Sequence, residues 1–209
     1  MISVDGLPGK VHEGFYHSLV NIWEPLVAEV KKQIAGGKPL FITGHSKGAS
    51  MATLASLLLN NTEKIHAAHV VNIASPNTAN SAFKKSYNET ITQTHYINHL
   101  DVVPFALPTP ALAERLEHLP LIGKIFKNLA KFDYQTVGIG VFIPKTGKKI
   151  YEDKSPDEYL VAISTDLNDI QTALESLHII SIVEAHDERH GTRYMTRVCQ
   201  NNACIQETA

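Results

Sequence analysis

Gly44-His45-Ser46-Lys47-Gly48 lies between a short apolar run, residues 39–43, and a stretch rich in small side chains, residues 49–59. This order predicts a strand, a sharp turn and a helix. A serine at such a turn has a strained backbone, and flanking glycines avoid collisions between side chains and neighbouring backbone. The pattern therefore predicts a nucleophile elbow that exposes the Ser46 hydroxyl above the edge of a sheet.

The same turn predicts where negative charge would be stabilised. Lys47 begins the predicted helix, and the first N–H groups of a helix have no partner within it. We therefore expect the Lys47 main-chain N–H to serve as an oxyanion donor.

The composition favours one domain over residues 1–209, whole or partial. The chain has 209 residues, 44% of them hydrophobic, which is enough for a sizeable core. Nineteen basic and 21 acidic residues give a formal net charge of -2, and no basic run suggests a nucleic-acid partner. The 11 histidines show no zinc-ligand spacing, so we expect no metal site and no cofactor.

The sequence assigns no compartment. Residues 1–12 lack the pattern of a signal peptide, and no stretch reaches the roughly 18 apolar residues of a membrane span. Cys199 and Cys204, in the polar tail, would form a disulfide in an oxidising compartment and remain free thiols in a reducing one. Both states stay open, as does the oligomeric state.

Strands and helices alternate along most of the chain. Apolar periodicity over residues 13–35 predicts one amphipathic helix, ended by Gly36 and Gly37. Strands are predicted at residues 2–4, 39–43, 67–74, 92–98, 134–143 and 148–151. Later helices are predicted at residues 167–177 and 191–198. The alternation predicts an α/β fold: a mostly parallel sheet with helices on both faces.

Hydrolysis by Ser46 would need a histidine base and a carboxylate to orient it. In α/β-hydrolase folds these follow the serine in the order Asp or Glu, then His. Asp101 comes just after the predicted strand 92–98, where parallel sheets gather their functional loops. It is the candidate acid; the alternative is an Asp that caps the turn before Pro104.

Three late histidines are candidates for the base. His178 lies in an apolar run, which favours a packed side chain. His186 lies in the loop before the last predicted helix, and His190 at that helix's start. We favour His186, with His190 as the alternative base and a surface role as the remaining possibility for each.

Four segments, in order, resemble the class 3 (fungal-type) lipases. The family patterns are V-H-x-G-F, T-G-H-S-x-G-A, G-x-P-R-x-G-N-x-x-F and N-x-x-D-x-V-P, and the corresponding segments here are residues 11–15, 43–49, 73–83 and 98–104. The resemblance implies an α/β-hydrolase fold and hydrolysis of carboxylic esters of acylglycerol-type lipids. It also implies a triad of Ser46, Asp101 and a C-terminal histidine.

The chain departs from the family in two ways. Ala74 and Asn77 replace the family's Gly and usual Arg in the third segment. In the family, the lid and the second oxyanion donor precede V-H-x-G-F, whereas this chain offers only residues 2–4 and 39–43 as strands before the elbow. We therefore expect an N-terminally shortened form, missing the first strands and the lid. Secretion stays open if an upstream segment exists.

The shortened start leaves alternative functions. One is a non-catalytic or weakly active lipid-binding or interaction protein that lacks half of the oxyanion hole; another is thioester or amide cleavage by the same triad. The apolar segment 119–126 is expected either to join the core or to touch acyl chains or a lipid surface. In the second case the contacts would come from Leu121, Ile122, Ile125 and Phe126.

Overall fold

A hairpin opens the chain in the computed structural model, which describes residues 1–115, 117–118, 122–176 and 185–186. Strands β1 (Ile2–Val4) and β2 (Leu7–Val11) pair antiparallel around a turn at Gly6, whose φ is +80°. They form a sheet of their own. The predicted first strand is therefore real but does not join the central sheet.

Five strands form the central sheet in chain order. They are β3 (Leu40–His45), β4 (Ala67–Ile73), β5 (Gln93–Asn98), β6 (Ile139–Ile143) and β7 (Ile150–Tyr151). The first four run parallel and β7 pairs antiparallel with β6. The mostly parallel sheet is thus confirmed. The strand predicted over 134–143 is shorter than expected and begins at Ile139.

The described residues contain seven α-helices. They are α1 (Glu13–Val20), α2 (Trp23–Gln33), α3 (Lys47–Leu58), α4 (Ser81–Thr90), α5 (Pro110–Arg115), α6 (Ile122–Ala130) and α7 (Pro156–Glu175). A π-helical turn, Leu59–Glu63, extends α3. Helix α7 begins eleven residues before the predicted start at Leu167.

The single helix predicted over 13–35 is wrong, because the chain breaks at Asn21 and Ile22. Pro25 explains the break. Proline has no N–H to donate to the carbonyl of Asn21, so a continuous helix would lose that bond and suffer a ring clash. In the first turn of a new helix the missing N–H costs nothing, and α2 therefore restarts at Trp23.

Helix α3 is buried along most of its length and is tied to the sheet by polar side chains. Asn72, on β4, donates through Nδ2 to the Ala49 carbonyl at 3.0 Å and to Gln93 Oε1 at 3.1 Å. The Tyr87 hydroxyl donates to the same Gln93 oxygen at 2.6 Å. Burial raises the pKa of Tyr87, so this hydroxyl stays a donor. These bonds fix α3 and α4 against β4 and β5.

A second core lies on the same face of the sheet, where α7 packs. Gly140 on β6 pairs in register with His95 on β5, which pairs with Asn72, so the three share one face. A Cβ on Gly140 would meet the Tyr159 hydroxyl of α7, so the glycine is required there. Ile163, Leu167 and Ile170 of α7 complete this core with Phe142.

Segment 119–126 falls partly within the described residues. Phe126 is buried in the core that α7 forms, as the core alternative expects. Ile125 is 51% exposed. Leu121 and the Ile122 side chain lie outside what the structure describes. Among the described residues, no helix combines the length and apolarity that a membrane crossing needs.

We predict a pH-dependent loss of stability caused by His95. Burial lowers its pKa from 6.5 to about 4, and its Nε2 accepts the Ser75 N–H at 3.0 Å, so the folded protein holds it neutral. The unfolded chain binds a proton near pH 6.5. The effect of His95 on the free energy of unfolding is therefore absent above pH 6.5. Below that pH, His95 lowers the free energy of unfolding progressively, by up to about 3 kcal/mol near pH 4.

Urea unfolding at several pH values measures this effect. The matched control is His95→Gln, because the glutamine Oε1 can still accept the Ser75 N–H and does not titrate. Between pH 6.5 and 4, the free energy of unfolding of the variant should fall less steeply with decreasing pH than that of the wild type. Identical slopes in both proteins would refute the assignment.

Candidate active site

Ser46 occupies the junction between β3 and α3 with φ 55° and ψ -128°. A positive φ is unusual for a residue with a side chain and costs on the order of 1–3 kcal/mol. Two backbone bonds hold the turn: the Ser46 N–H donates to the Ile73 carbonyl at 3.0 Å, and the Ser46 carbonyl accepts from the Ala49 N–H at 3.0 Å. The turn has the strained backbone that an elbow requires.

The two glycines of the elbow differ in whether a side chain would fit at their position. A Cβ on Gly44 would lie 2.5 Å from the Gly48 carbonyl oxygen and 2.6 Å from the Ala49 backbone. A Cβ on Gly48 would have nothing within 4 Å outside its own helix. The expectation that both positions exclude a side chain is therefore wrong for Gly48. Only Gly44 is needed for the close approach of β3 and α3 here.

Ser46, His186 and Asp101 form one row of hydrogen bonds. The Ser46 hydroxyl lies 2.9 Å from His186 Nε2. His186 Nδ1 lies 3.0 and 3.1 Å from the two carboxylate oxygens of Asp101. A neutral imidazole with its proton on Nδ1 satisfies both ends, donating to the carboxylate and accepting from the hydroxyl.

Asp101 is fully buried at the end of a tight turn that follows β5. Its Oδ1 also accepts the Val103 N–H at 3.0 Å. Leu100, with φ 65°, makes the turn, and its N–H donates to Asp166 Oδ1 on α7 at 2.8 Å. The turn-capping role and the contact with His186 therefore occur together at Asp101.

Asp166 also binds the residue before Leu100. His99 Nδ1 lies 2.6 Å from Asp166 Oδ1, and the Asp166 side chain is 1% exposed. Burial raises the pKa of Asp166, and the hydrogen bond from His99 opposes that rise. These two residues and Asp169 are a group in the described chain that could offer three atoms to a metal. Two of the three, His99 and Asp166, are already bonded directly to each other.

Lys47 is the first residue of α3, next to Ser46. Its main-chain N–H is among the first four of the helix, which have no intrahelical acceptor. The helix dipole adds positive potential at this end. The position is chemically suited to hold an oxyanion.

Two contacts near His186 were not foreseen from the sequence. His45 Nε2 lies 2.9 Å from the His186 carbonyl oxygen, and Asn98 Nδ2 donates to the Ala185 carbonyl at 3.1 Å. Both residues belong to quoted motifs, the elbow and the N-x-x-D segment, and those motifs were the available signal. The predictions for His178, His190, Cys199 and Cys204 lie outside the described residues.

Comparisons with known proteins agree with the fold. A family model described as lipase (class 3) matches residues 3–110, just over half of the 209 residues. The chain belongs to the class 3 lipase family. The matched range contains strand β2, the elbow and Asp101. A comparison with curated proteins gave no match.

Solved fungal lipases share the fold of this class 3 lipase chain. The lipase of Rhizopus microsporus var. chinensis is 23% identical with a TM-score of 0.52, over 71% of this chain and 46% of that one. The Rhizomucor miehei lipase, in its propeptide complex, is 22% identical with a TM-score of 0.52, over 71% and 46%. Lipase II of Rhizopus niveus is 22% identical with a TM-score of 0.50, over 68% and 47%. The chain thus spans about half the length of these relatives.

The two replacements in the third family segment, Ala74 and Asn77, lie in different structural settings. Ala74 has φ 55°, a conformation that favours the glycine usual in the family. Asn77, in place of the usual arginine, donates through Nδ2 to the Leu107 carbonyl at 2.8 Å. Asn77 therefore anchors the loop that follows Asp101.

We predict that Gly44→Ala and Gly48→Ala have opposite consequences. The new methyl at 44 collides with backbone that cannot rotate away, which should cost about 1–3 kcal/mol of stability. The methyl at 48 enters open space in a helix that favours alanine, so stability should be unchanged or slightly raised. Urea unfolding of both variants beside the wild type measures the difference. Equal losses at the two positions would contradict the packing assigned to Gly44.

Proposed function

We propose that this chain is a serine hydrolase that cleaves carboxylic esters of acylglycerol-type lipids. The observation that carries the proposal is the unbroken row from Ser46 Oγ through the His186 imidazole to the Asp101 carboxylate. Membership of the class 3 lipase family supports the reaction type. The lipid nature of the ester rests on that membership.

Acylation begins when Ser46 Oγ attacks the ester carbonyl carbon. His186 Nε2, 2.9 Å away, takes the hydroxyl proton as the new C–O bond forms. The carbonyl oxygen becomes an oxyanion that the Lys47 N–H stabilises. When the tetrahedral intermediate collapses, the bond to the alcohol breaks, and His186 returns its proton to the departing oxygen. The product is an acyl-enzyme and a free alcohol.

Deacylation repeats these steps with water as the nucleophile. His186 accepts a proton from water, whose oxygen attacks the acyl carbonyl and forms a second oxyanion. Collapse releases the carboxylic acid and restores the Ser46 hydroxyl with the proton held by His186. No group other than the ester and water is consumed.

Asp101 acts through His186. Its buried carboxylate accepts a hydrogen bond from the Nδ1–H, which holds the proton on Nδ1 and leaves Nε2 free to serve as the base. The same negative charge stabilises the imidazolium that forms in each transition state.

The oxyanion site is expected to affect turnover more than it affects labelling of Ser46. Removing one donor from a two-donor site costs about 10²–10³ in kcat. Lys47 is the donor that the described elbow offers. Labelling of Ser46 and catalytic turnover should therefore be measured separately, since the first tests the nucleophile and the second tests the whole site.

We predict that Ser46→Ala abolishes labelling by a fluorophosphonate probe while the far-UV circular dichroism spectrum stays unchanged. His186→Ala should lower kcat for a short-chain p-nitrophenyl ester by a factor on the order of 10⁴–10⁶, and Asp101→Asn should lower it by a factor of about 10⁴. His17→Ala is the matched control, because His17 is exposed on α1. It should change neither readout.

His190→Ala tests the alternative base and should have little effect. If His190→Ala, rather than His186→Ala, causes the large loss of kcat, the assignment of the base is wrong. If the wild type is neither labelled nor releases a burst of p-nitrophenol, the result favours the alternative, a non-catalytic or weakly active lipid-binding or interaction protein that lacks half of the oxyanion hole.

A further inference from the structure

His186 is held by two strand ends as well as by its triad partners. His45 is the last residue of β3 and lies with Nε2 2.9 Å from the His186 carbonyl oxygen. Asn98 is the last residue of β5 and donates to the Ala185 carbonyl at 3.1 Å. Two consecutive carbonyls thus accept bonds from side chains on different strands of the sheet.

The bond from His45 fixes the backbone of His186 relative to the elbow. A carbonyl can only accept, so Nε2 of His45 must carry a proton. His45 directly precedes Ser46, so the nucleophile and the donor to the base's own carbonyl move as one unit. The separation between Ser46 Oγ and His186 Nε2 is therefore set from both ends of His186: its imidazole and its main chain.

The two imidazole rings also touch. Their centroids are 4.7 Å apart and the ring planes are inclined by 33°. Such a contact restricts rotation of the His186 ring and places an aromatic face beside a group that becomes cationic during the reaction. The hydrogen bond and the ring contact are separable, because different side chains can replace each one alone.

We propose that His45 is a positioning residue for His186, and that it acts through the hydrogen bond to the His186 carbonyl. The proposal rests on the proposed function, in which His186 is the base. It assigns a role to the histidine between Gly44 and Ser46, a residue that the chemistry of the triad does not itself require. In this role His45 acts on the main chain of His186.

Three substitutions separate the two contacts. His45→Gln keeps a donor at a similar reach and removes the ring; His45→Phe keeps a ring and removes the donor; His45→Ala removes both. The rate of Ser46 labelling by a fluorophosphonate and the kcat for a short-chain ester should fall roughly 10- to 100-fold in the Ala and Phe variants. The Gln variant should recover to within about threefold of the wild type, and KM should change little in all three.

The pattern of recovery decides the proposal. Recovery by Phe but not by Gln would overturn the hydrogen-bond role and leave the ring contact. Wild-type rates in all three variants would overturn any positioning role. Urea unfolding of each variant excludes a loss of fold, which the partial exposure of His45 does not lead us to expect.

A readout independent of catalysis separates this proposal from the proposed function. The Nδ1 proton between His186 and Asp101 should give a downfield proton NMR signal, assigned by its loss in His186→Ala. The signal should persist in His45→Gln and broaden or vanish in His45→Ala. An unchanged signal in His45→Ala would refute the positioning role even if the wild type is fully active. If the signal persists in His45→Gln and is lost in His45→Ala but the wild type has no esterase activity, only the proposed function is refuted.

Discussion

The close approach of β3 and α3 at Gly44 is the constraint on which the site depends. A single Cβ there would overlap the Gly48 carbonyl and the Ala49 backbone. Without that approach the chain could not turn at Ser46 within one residue, and the hydroxyl would not face His186. The strain at Ser46 is tolerated because the turn is bonded on both sides, to Ile73 of β4 and to Ala49 of α3.

The three side chains of the row come from separate parts of the chain. Ser46 follows β3, Asp101 follows β5, and His186 lies 85 residues beyond Asp101. Because parallel strands end at one edge of the sheet, residues that are distant in sequence meet there. Helix α7 contributes through Asp166, which bonds His99 and Leu100 and so fixes the turn that carries Asp101.

Local signals in the sequence predicted part of this arrangement. The elbow, the strands around it and the candidates Asp101 and His186 follow from short motifs and from chain order. The break at Asn21 was missed because apolar periodicity continues through it, although Pro25 carried the signal. The contacts of Asp166, His45 and Asn98 depend on how α7 and the strand ends pack, which spacing along the chain does not encode.

Three of the five non-glycine residues with positive φ in the described chain lie at one edge of the sheet. Ser46, Ala74 and Leu100 all have positive φ, and they follow the ends of β3, β4 and β5 respectively. Each uses its own N–H to bond a neighbouring element: Ser46 the carbonyl of Ile73, Ala74 that of Tyr96, and Leu100 the carboxylate of Asp166.

These bonds explain why residues other than glycine persist in that conformation. A strained backbone survives only where its surroundings over-determine it, and here each of the three residues is held by a neighbouring element, β4, β5 or α7. The chain therefore turns sharply after three successive strands without relying on glycine at the turning residue. Sharp turns bring the side chains that follow β3 and β5 within reach of one imidazole, which longer and more relaxed loops would hold less firmly.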